Sequence, residues 1–142
     1  MQTVKEILGT KGNVVWSIAP QSSVYDAIAE MAERRVGALV VRDGDALVGI
    51  ISERDYARKV VLEGRSSKHT AVREIMTSKV VTARPSLSIE DAMALMTEHH
   101  IRHLPITEGD TLVGMISIGD LVKSIIDEQK FVIGQLENYI TR

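Results

Sequence analysis

Two serines, each followed three residues later by an aspartate, are the side chains best suited to chemistry: Ser52 with Asp55 and Ser117 with Asp120. Each pair follows an apolar run and begins a predicted helix. The spacing indicates a helix cap, because both side chains can accept hydrogen bonds from free backbone N–H groups of the first turn. It also suits a nucleotide, since a helix N-terminus favours phosphate and an aspartate can accept from both hydroxyls of a ribose. The two interpretations are compatible, and the spacing leaves both open.

A glycine lies three residues before each serine, inside an apolar run that is typical of a strand: Gly49 and Gly114. Glycine within a strand often marks a bulge, or a close approach by a ligand or by another stretch of backbone. The sequence leaves these alternatives open.

These matching positions belong to an internal repeat. Residues 44–55 and 109–120 agree at Gly, Asp, Leu, Val, Gly, Ile, Ser and the final Asp, at a constant offset. With that offset held, about two in five positions are identical between residues 20–58 and 85–123. The chain is therefore predicted to use one supersecondary unit twice.

Local patterns predict the same elements in each half. Helix-start signatures at Ser23 and Ser88 precede apolar residues at helical spacing. Pairs of β-rich runs around Gly44 and Gly109 predict a hairpin in each half, and a second helix follows at each Ser-x-x-Asp motif. The unit is thus strand, helix, strand, strand, helix. A short helical turn precedes each unit, predicted at Val4–Leu8 and at Val72–Met76.

The predicted fold class is α+β (mixed α/β), with two tandem repeats and an extended C-terminal helix. The repeats are assigned to residues 1–66 and 67–128, and the helical extension to residues 129–142. The last helix carries a heptad-like stripe at spacings of four and three: Val122, Ile126, Gln129, Ile133, Leu136 and Ile140. Packing on its own core can explain the first half of this stripe. From Phe131 onward no repeat is left to cover, which favours a surface for a partner.

Composition argues against several classes of protein. The 142 residues carry a formal net charge of −2, which gives no basic footprint for nucleic acid and no broad field for a membrane surface. The absence of cysteine removes disulfides, thiolate nucleophiles and cysteine zinc sites. No signal peptide opens the chain, and no apolar run approaches the ~20 residues of a membrane span. A soluble cytoplasmic protein is the expectation.

The histidines His99, His100 and His103 are the one constellation that could suggest a metal site. A predicted helix-to-strand junction lies between them, so their rings should diverge, and no acid or cysteine completes a ligand set nearby. No metal is expected. Catalysis is not expected either, because neither motif serine has a histidine placed to activate it.

The signature Gly-hydrophobic-hydrophobic-Ser-x-x-Asp occurs twice, at residues 49–55 and 114–120. On this doubled signature the chain resembles a tandem pair of CBS domains, a Bateman module, over about Val4–Ile126. The resemblance implies two repeats related by a pseudo-twofold axis with two clefts, which in this family commonly hold AMP, ADP, ATP, NAD(H) or S-adenosylmethionine. It further implies a regulatory module without turnover, commonly a homodimer or higher oligomer, that modulates a target protein.

In this family the aspartate holds the ribose, the serine lies near phosphate, and the backbone before the first helix borders the base. The resemblance therefore implies nucleotide-binding positions in both halves. They are Ser17, Ile18, Ala19, Gly37, Ala38, Ser52, Arg54 and Asp55 in the first, and Thr82, Ala83, Arg84, Arg102, His103, Ser117, Gly119 and Asp120 in the second.

The two clefts are not expected to be equivalent, because the cationic residues differ. Arg54 precedes the first aspartate where the second half has Gly119, and Arg102 and His103 stand where the first half has Gly37 and Ala38. One cleft could then prefer a longer phosphate chain or a dinucleotide and the other a monophosphate. The alternative function is a ligand-free dimerisation adaptor, with a metal-dependent enzyme third.

Overall fold

A computed structural model describes residues 2–141 as a mixture of helices and strands. In chain order the elements are α1 (Val4–Lys11), β1 (Ser17–Ile18), α2 (Val24–Arg34), β2 (Ala38–Asp43), β3 (Ala46–Ser52), α3 (Glu53–Tyr56), α4 (Val72–Ile75), α5 (Ile89–His99), β4 (His103–Glu108), β5 (Thr111–Ser117) and α6 (Ile118–Thr141). The predicted fold class is confirmed. The repeated element order holds from the first helix of each unit onward, whereas the first strand of the second half is reduced to a single bridge.

Both predicted hairpins form, and they are built alike. Strands β2 and β3 pair antiparallel, as do β4 and β5, and each pair carries a register shift at the same place, after Val41 and after Ile106. The turns contain Gly44 and Gly109, at φ of 61° and 62°. This left-handed conformation costs glycine little and other residues more, which explains the glycine in each turn.

The helix that follows the first strand begins in both halves where the sequence predicts. The hydroxyl oxygens of Ser23 and Ser88 accept hydrogen bonds of 3.1 Å from the amides of Asp26 and Asp91. Each helix buries one stripe of its surface, as helical spacing requires, and the stripe of α2 packs with buried residues of β2 and β3. The buried residues are Val24, Ala27 and Met31 in α2, and Ile89, Ala92 and Met96 in α5.

The first strand of each half is short. Strand β1 has two residues and pairs parallel with β2. In the second half the corresponding stretch makes a single parallel bridge, from Ala83 to Ile106 on β4. The second helices differ too, since α3 is followed by a π-helical turn at Ala57–Val61, whereas α6 continues for 24 residues.

The chain packs as two compact units that exchange their short helices: each unit contains the short helix that precedes the other sequence repeat. Residues 14–81 form a continuous unit, and the residues up to Asn13 and from Thr82 onward form a discontinuous unit. Helix α1 therefore packs against β5 and α6, and α4 packs against β3. The packing units cut across the predicted boundary between residues 66 and 67, and that boundary stays a prediction about the sequence repeats.

This exchange explains the two strand glycines, for which the sequence alone could not choose between a bulge and a close approach by a ligand or by another stretch of backbone. A β-carbon at Gly114 would lie 2.7 Å from Cδ2 of Leu8 in α1. A β-carbon at Gly49 would lie 2.6 Å from the Met76 sulfur and 3.1 Å from the Thr77 carbonyl oxygen. Glycine fits at both positions because a neighbouring segment of the chain occupies the space that a β-carbon would need.

Candidate functional site

The first Ser-x-x-Asp motif lies in the continuous unit, where β3 ends and α3 begins. Oδ2 of Asp55 accepts from the Ser52 amide at 3.0 Å and from the Ser52 hydroxyl at 3.1 Å. The Ser52 oxygen in turn accepts from the Asp55 amide at 3.2 Å. The predicted helix cap is therefore present, with both partners of the capping box.

The second motif makes the two bonds in which a backbone amide donates to a side chain, in the discontinuous unit. Oδ2 of Asp120 accepts from the Ser117 amide at 2.8 Å, and Oγ of Ser117 accepts from the Asp120 amide at 3.2 Å. The side chains of Asp55 and Asp120 nonetheless keep 16% and 25% of their surface exposed. A carboxylate has about four lone-pair sites, so capping leaves each aspartate able to accept from a ligand.

The start of the preceding hairpin strand lies beside each helix N-terminus. The Glu53 amide donates to the Gly37 carbonyl at 3.0 Å, and the Ile118 amide donates to the Arg102 carbonyl at 2.8 Å. Across the hairpins, Ala38 pairs with Ser52 and His103 pairs with Ser117. The fold thus brings these predicted site residues together within each unit.

Each aspartate also forms an ion pair with a lysine, and neither lysine belongs to the predicted site. Nζ of Lys11 in α1 lies 2.6 Å from Oδ2 of Asp120 and 2.8 Å from the Met115 carbonyl oxygen. Nζ of Lys59 lies 3.3 Å from Oδ1 of Asp55, four residues earlier. The spacing of four could have identified Lys59, because such pairs face each other on a helix. No local signal identifies Lys11.

Asp120 is held in its charged form. Burial raises its pKa, but the bonds from Lys11 and Ser117 outweigh burial, and the net pKa lies below the ordinary value of 3.8. The carboxylate is therefore an acceptor, not a donor, at neutral pH.

His103 is shifted toward its neutral form. Burial lowers its pKa below the ordinary 6.5, Lys11 lowers it further, Asp120 acts in the opposite direction and Arg102 lowers it again. At neutral pH the ring supplies hydrogen-bonding nitrogens and no charge.

This shift predicts how stability depends on pH. Below 6.5 the unfolded chain protonates His103 more readily than the folded chain does, so the free energy of unfolding should fall as the pH drops. Replacing His103 with Gln should flatten the profile between about pH 7.5 and about pH 5.5, measured by chemical denaturation. His99→Gln, which replaces an exposed histidine in the last turn of α5, is the control for the loss of a histidine; a His103→Gln variant that keeps the slope of the parent would contradict the assignment.

The segments predicted to border a base take different forms in the two units. Ser17 and Ile18 form β1 beside Val40 and Val41, with Ala19 directly after it. In the other unit the Ala83 amide donates to the Pro105 carbonyl at 3.2 Å. A cavity of ≈ 630 Å³ opens here, lined by Thr82, Ala83, Arg84, Ser86, Leu87, Ser88, Glu90, Asp91 and Leu95. Three predicted site residues, Thr82, Ala83 and Arg84, line this cavity, whereas Asp120 and His103 do not.

The remaining predicted residues lie on the surface. Arg54 and Gly119 are exposed in the first turns of α3 and α6, and Arg102 is exposed just before β4. His99 ends α5, and His100 adopts a left-handed conformation with φ of 54° before β4 begins at His103, so the helix does not continue between them. Within residues 2–141, no group of three or more His, Asp or Glu residues could hold a metal ion.

Comparison with known proteins identifies the family. The model of the CBS domain matches residues 4–62 and 72–127, most of the chain. The chain belongs to the CBS-domain family. It is 40% identical to the CBS domain-containing protein CBSX3, mitochondrial, of Arabidopsis thaliana, covering 97% of this chain and 71% of that protein. It is also 36% identical to the CBS domain-containing protein YhcV of Bacillus subtilis, covering 85% and 84%.

A solved structure supports the same assignment. A CBS-domain protein from Burkholderia ambifaria MC40-6 superposes with a TM-score of 0.87 at 55% identity, covering 90% of this chain and 96% of that one. Proteins built on CBS pairs are regulatory modules. None of the helices within residues 2–141 is long and apolar enough to cross a membrane.

Proposed function

We propose that this CBS pair senses an adenine nucleotide, such as AMP, ADP, ATP or NAD(H), and modulates a protein partner in response. The observation that carries the proposal is the doubled helix start, in which a capped aspartate stays partly exposed beside a lysine. The carboxylate would accept the hydroxyls of a ribose, and the lysine and the helix N-terminus would face phosphate. No metal is needed for this recognition.

The first turn of α6 offers a specific place for phosphate. The Ile118 amide already donates to the Arg102 carbonyl, and the Asp120 amide donates to the Ser117 hydroxyl. Between them lies the amide of Gly119, an exposed residue without a side chain to block it. That amide is the donor that a phosphate oxygen would reach.

One structural neighbour with the same fold was solved with adenosyl ligands. The CBS domain pair of protein MJ0100 was solved in complex with 5'-methylthioadenosine and S-adenosyl-L-methionine, with a TM-score of 0.81 and 22% identity to this chain. At that identity the likeness carries the fold alone, so the choice of nucleotide rests on the charges at Asp120, Lys11 and Arg102.

Replacing the aspartates tests the ribose role. Asp120→Ala and Asp55→Ala should each weaken nucleotide binding at their own site by about 1–3 kcal/mol, measured by calorimetric titration, because a charged acceptor is lost. Asp→Asn should harm the helix cap less, since the amide oxygen can still accept. If both alanine variants bind every nucleotide as tightly as the parent, the ribose role is wrong.

The matched controls are Asp110→Ala and Asp45→Ala, which remove the same charge from the exposed hairpin turns. They should leave binding unchanged. Loss of the cap itself costs about 0.5–2 kcal/mol of stability, so thermal unfolding of each variant separates a folding defect from a binding defect. A ligand-free adaptor would show no rise in melting temperature with any of the nucleotides.

We also propose that the chain forms a homodimer or higher homo-oligomer through the C-terminal half of α6. Ile133, Leu136 and Ile140 are 54%, 57% and 79% exposed at heptad-like spacing. A second copy would present the same stripe, and two such stripes are self-complementary. The hexameric CBS-CP12 protein, 31% identical with a TM-score of 0.77, shows that a relative forms a larger assembly.

The location of the protein and the partner that it regulates are further predictions. A cytoplasmic location stays a prediction, as does the absence of nucleic-acid and membrane binding. The target of regulation is an unidentified protein, which would recognise the module in one ligand state more tightly than in the other.

A further inference from the structure

Lys11 reaches the candidate site from a distant part of the chain. It is the last residue of α1, and 109 positions separate it from Asp120. Its ammonium group is held by two acceptors, Oδ2 of Asp120 at 2.6 Å and the carbonyl oxygen of Met115 at 2.8 Å. These two contacts fix the Lys11 ammonium group beside the Asp120 carboxylate.

This contact conflicts with full binding of a ribose. Oδ2 of Asp120 already accepts from both the Ser117 amide and Lys11. A ribose with two adjacent hydroxyls binds a carboxylate best through both oxygens, so it would have to share Oδ2 with Lys11 or displace it. The Lys11 side chain is 38% exposed and has a flexible stem, so it can move toward solvent.

The charges around this carboxylate favour an anion. Lys11 lies against the single negative charge of Asp120, and the positive charges of Lys11 and Arg102 both lower the pKa of the neighbouring His103. When a ligand takes over the carboxylate, the displaced ammonium group needs a new anionic partner. A phosphate on the ligand supplies one, whereas an unphosphorylated nucleoside does not.

We propose that Lys11 is a specificity-determining residue, which makes the Asp120 site select phosphorylated adenosine ligands over unphosphorylated ones. This inference rests on the proposed nucleotide-binding function and adds the basis of its selectivity. The phosphate takes the place of the Asp120 carboxylate as the partner of Lys11. An adenosyl ligand without phosphate breaks the ion pair and gives nothing in return.

At the other site the lysine does not contact the oxygen that forms the cap. Lys59 lies on the same helical segment as Asp55, at the longer distance of 3.3 Å, and its Nζ also donates to the Ile75 carbonyl at 2.8 Å. It approaches Oδ1, which does not take part in the cap. The selectivity is therefore assigned to the Asp120 site.

Calorimetric titration with AMP and with adenosine tests the proposal. All chains carry Asp55→Asn, which weakens the other site and keeps an acceptor for its cap. Lys11→Gln should weaken AMP binding about tenfold or more, because a charge-assisted contact is lost, and should leave adenosine binding unchanged or tighter, because adenosine then breaks no ion pair. Lys11→Arg keeps the charge and should retain most of the preference for AMP.

Lys5→Gln is the matched control, since it removes the same charge from an exposed position of the same helix. It should bind both ligands as the parent does. Equal losses of AMP and adenosine in Lys11→Gln, or no loss of AMP, would overturn the selectivity and leave nucleotide binding intact. If the chain with both aspartates intact binds neither ligand, the proposed function is overturned as well. Thermal unfolding of each variant verifies that it is folded.

Discussion

Leu8→Ala should lower the free energy of unfolding by about 2–4 kcal/mol, a large effect for a residue so near the chain terminus. Leu8 is 5% exposed, and its methyl groups pack onto Gly114 of β5 in the discontinuous unit. Truncation to alanine removes buried apolar surface and leaves a cavity beside the strand. Urea denaturation of the full chain measures the change.

Combining Gly114→Ala with Leu8→Ala tests whether the contact between these two residues explains the glycine. Alone, Gly114→Ala should destabilise by about 1–3 kcal/mol, because the added carbon would lie 2.7 Å from Cδ2 of Leu8. In the Leu8→Ala background the conflicting methyl group is gone, so the same substitution should cost much less. Additive effects in the double mutant would mean that the contact is not the reason for the glycine.

Gly134→Ala is the control for this cycle. It lies inside α6, and an added carbon there would have no heavy atom within 4 Å. Alanine is the better helix former by about 1 kcal/mol, so this variant should be as stable as the parent or more stable, whether or not Leu8 is present.

Truncation after Glu128 should lower the oligomeric mass measured by light scattering. The removed segment contains Ile133, Leu136 and Ile140, which are more than half exposed in the single chain and would be buried by a second copy. The point variant Ile133→Asp should act in the same direction, since it places a charge in the proposed seam.

Phe131→Asp is the matched control, because Phe131 is 67% exposed but falls outside the heptad-like spacing. It should leave the mass unchanged. If the truncated chain keeps the mass of the parent, the interface lies on the CBS repeats and α6 has no part in it. If Phe131→Asp dissociates the assembly as Ile133→Asp does, the stripe is wrongly assigned.

The sequence by itself determined the features whose bonds span only a few residues. The caps at Ser23 and Ser88, the hairpin turns at Gly44 and Gly109, and the two capping boxes all form where local spacing places them. Each depends on groups within four positions of one another, so residue type and spacing are sufficient. The doubled signature also led to the CBS family, which the comparisons confirm.

Only the tertiary structure decided which segments meet. The exchange of α1 and α4 between the sequence repeats cannot be recognised from local sequence, because each short helix packs on a strand from a distant part of the chain. The same exchange settled why Gly49 and Gly114 are glycines and placed Lys11 on Asp120, across 109 positions. A lysine at the end of a short helix has no distinguishing neighbours in sequence. Its role exists only because folding brings its ammonium group to a carboxylate that local rules had already positioned.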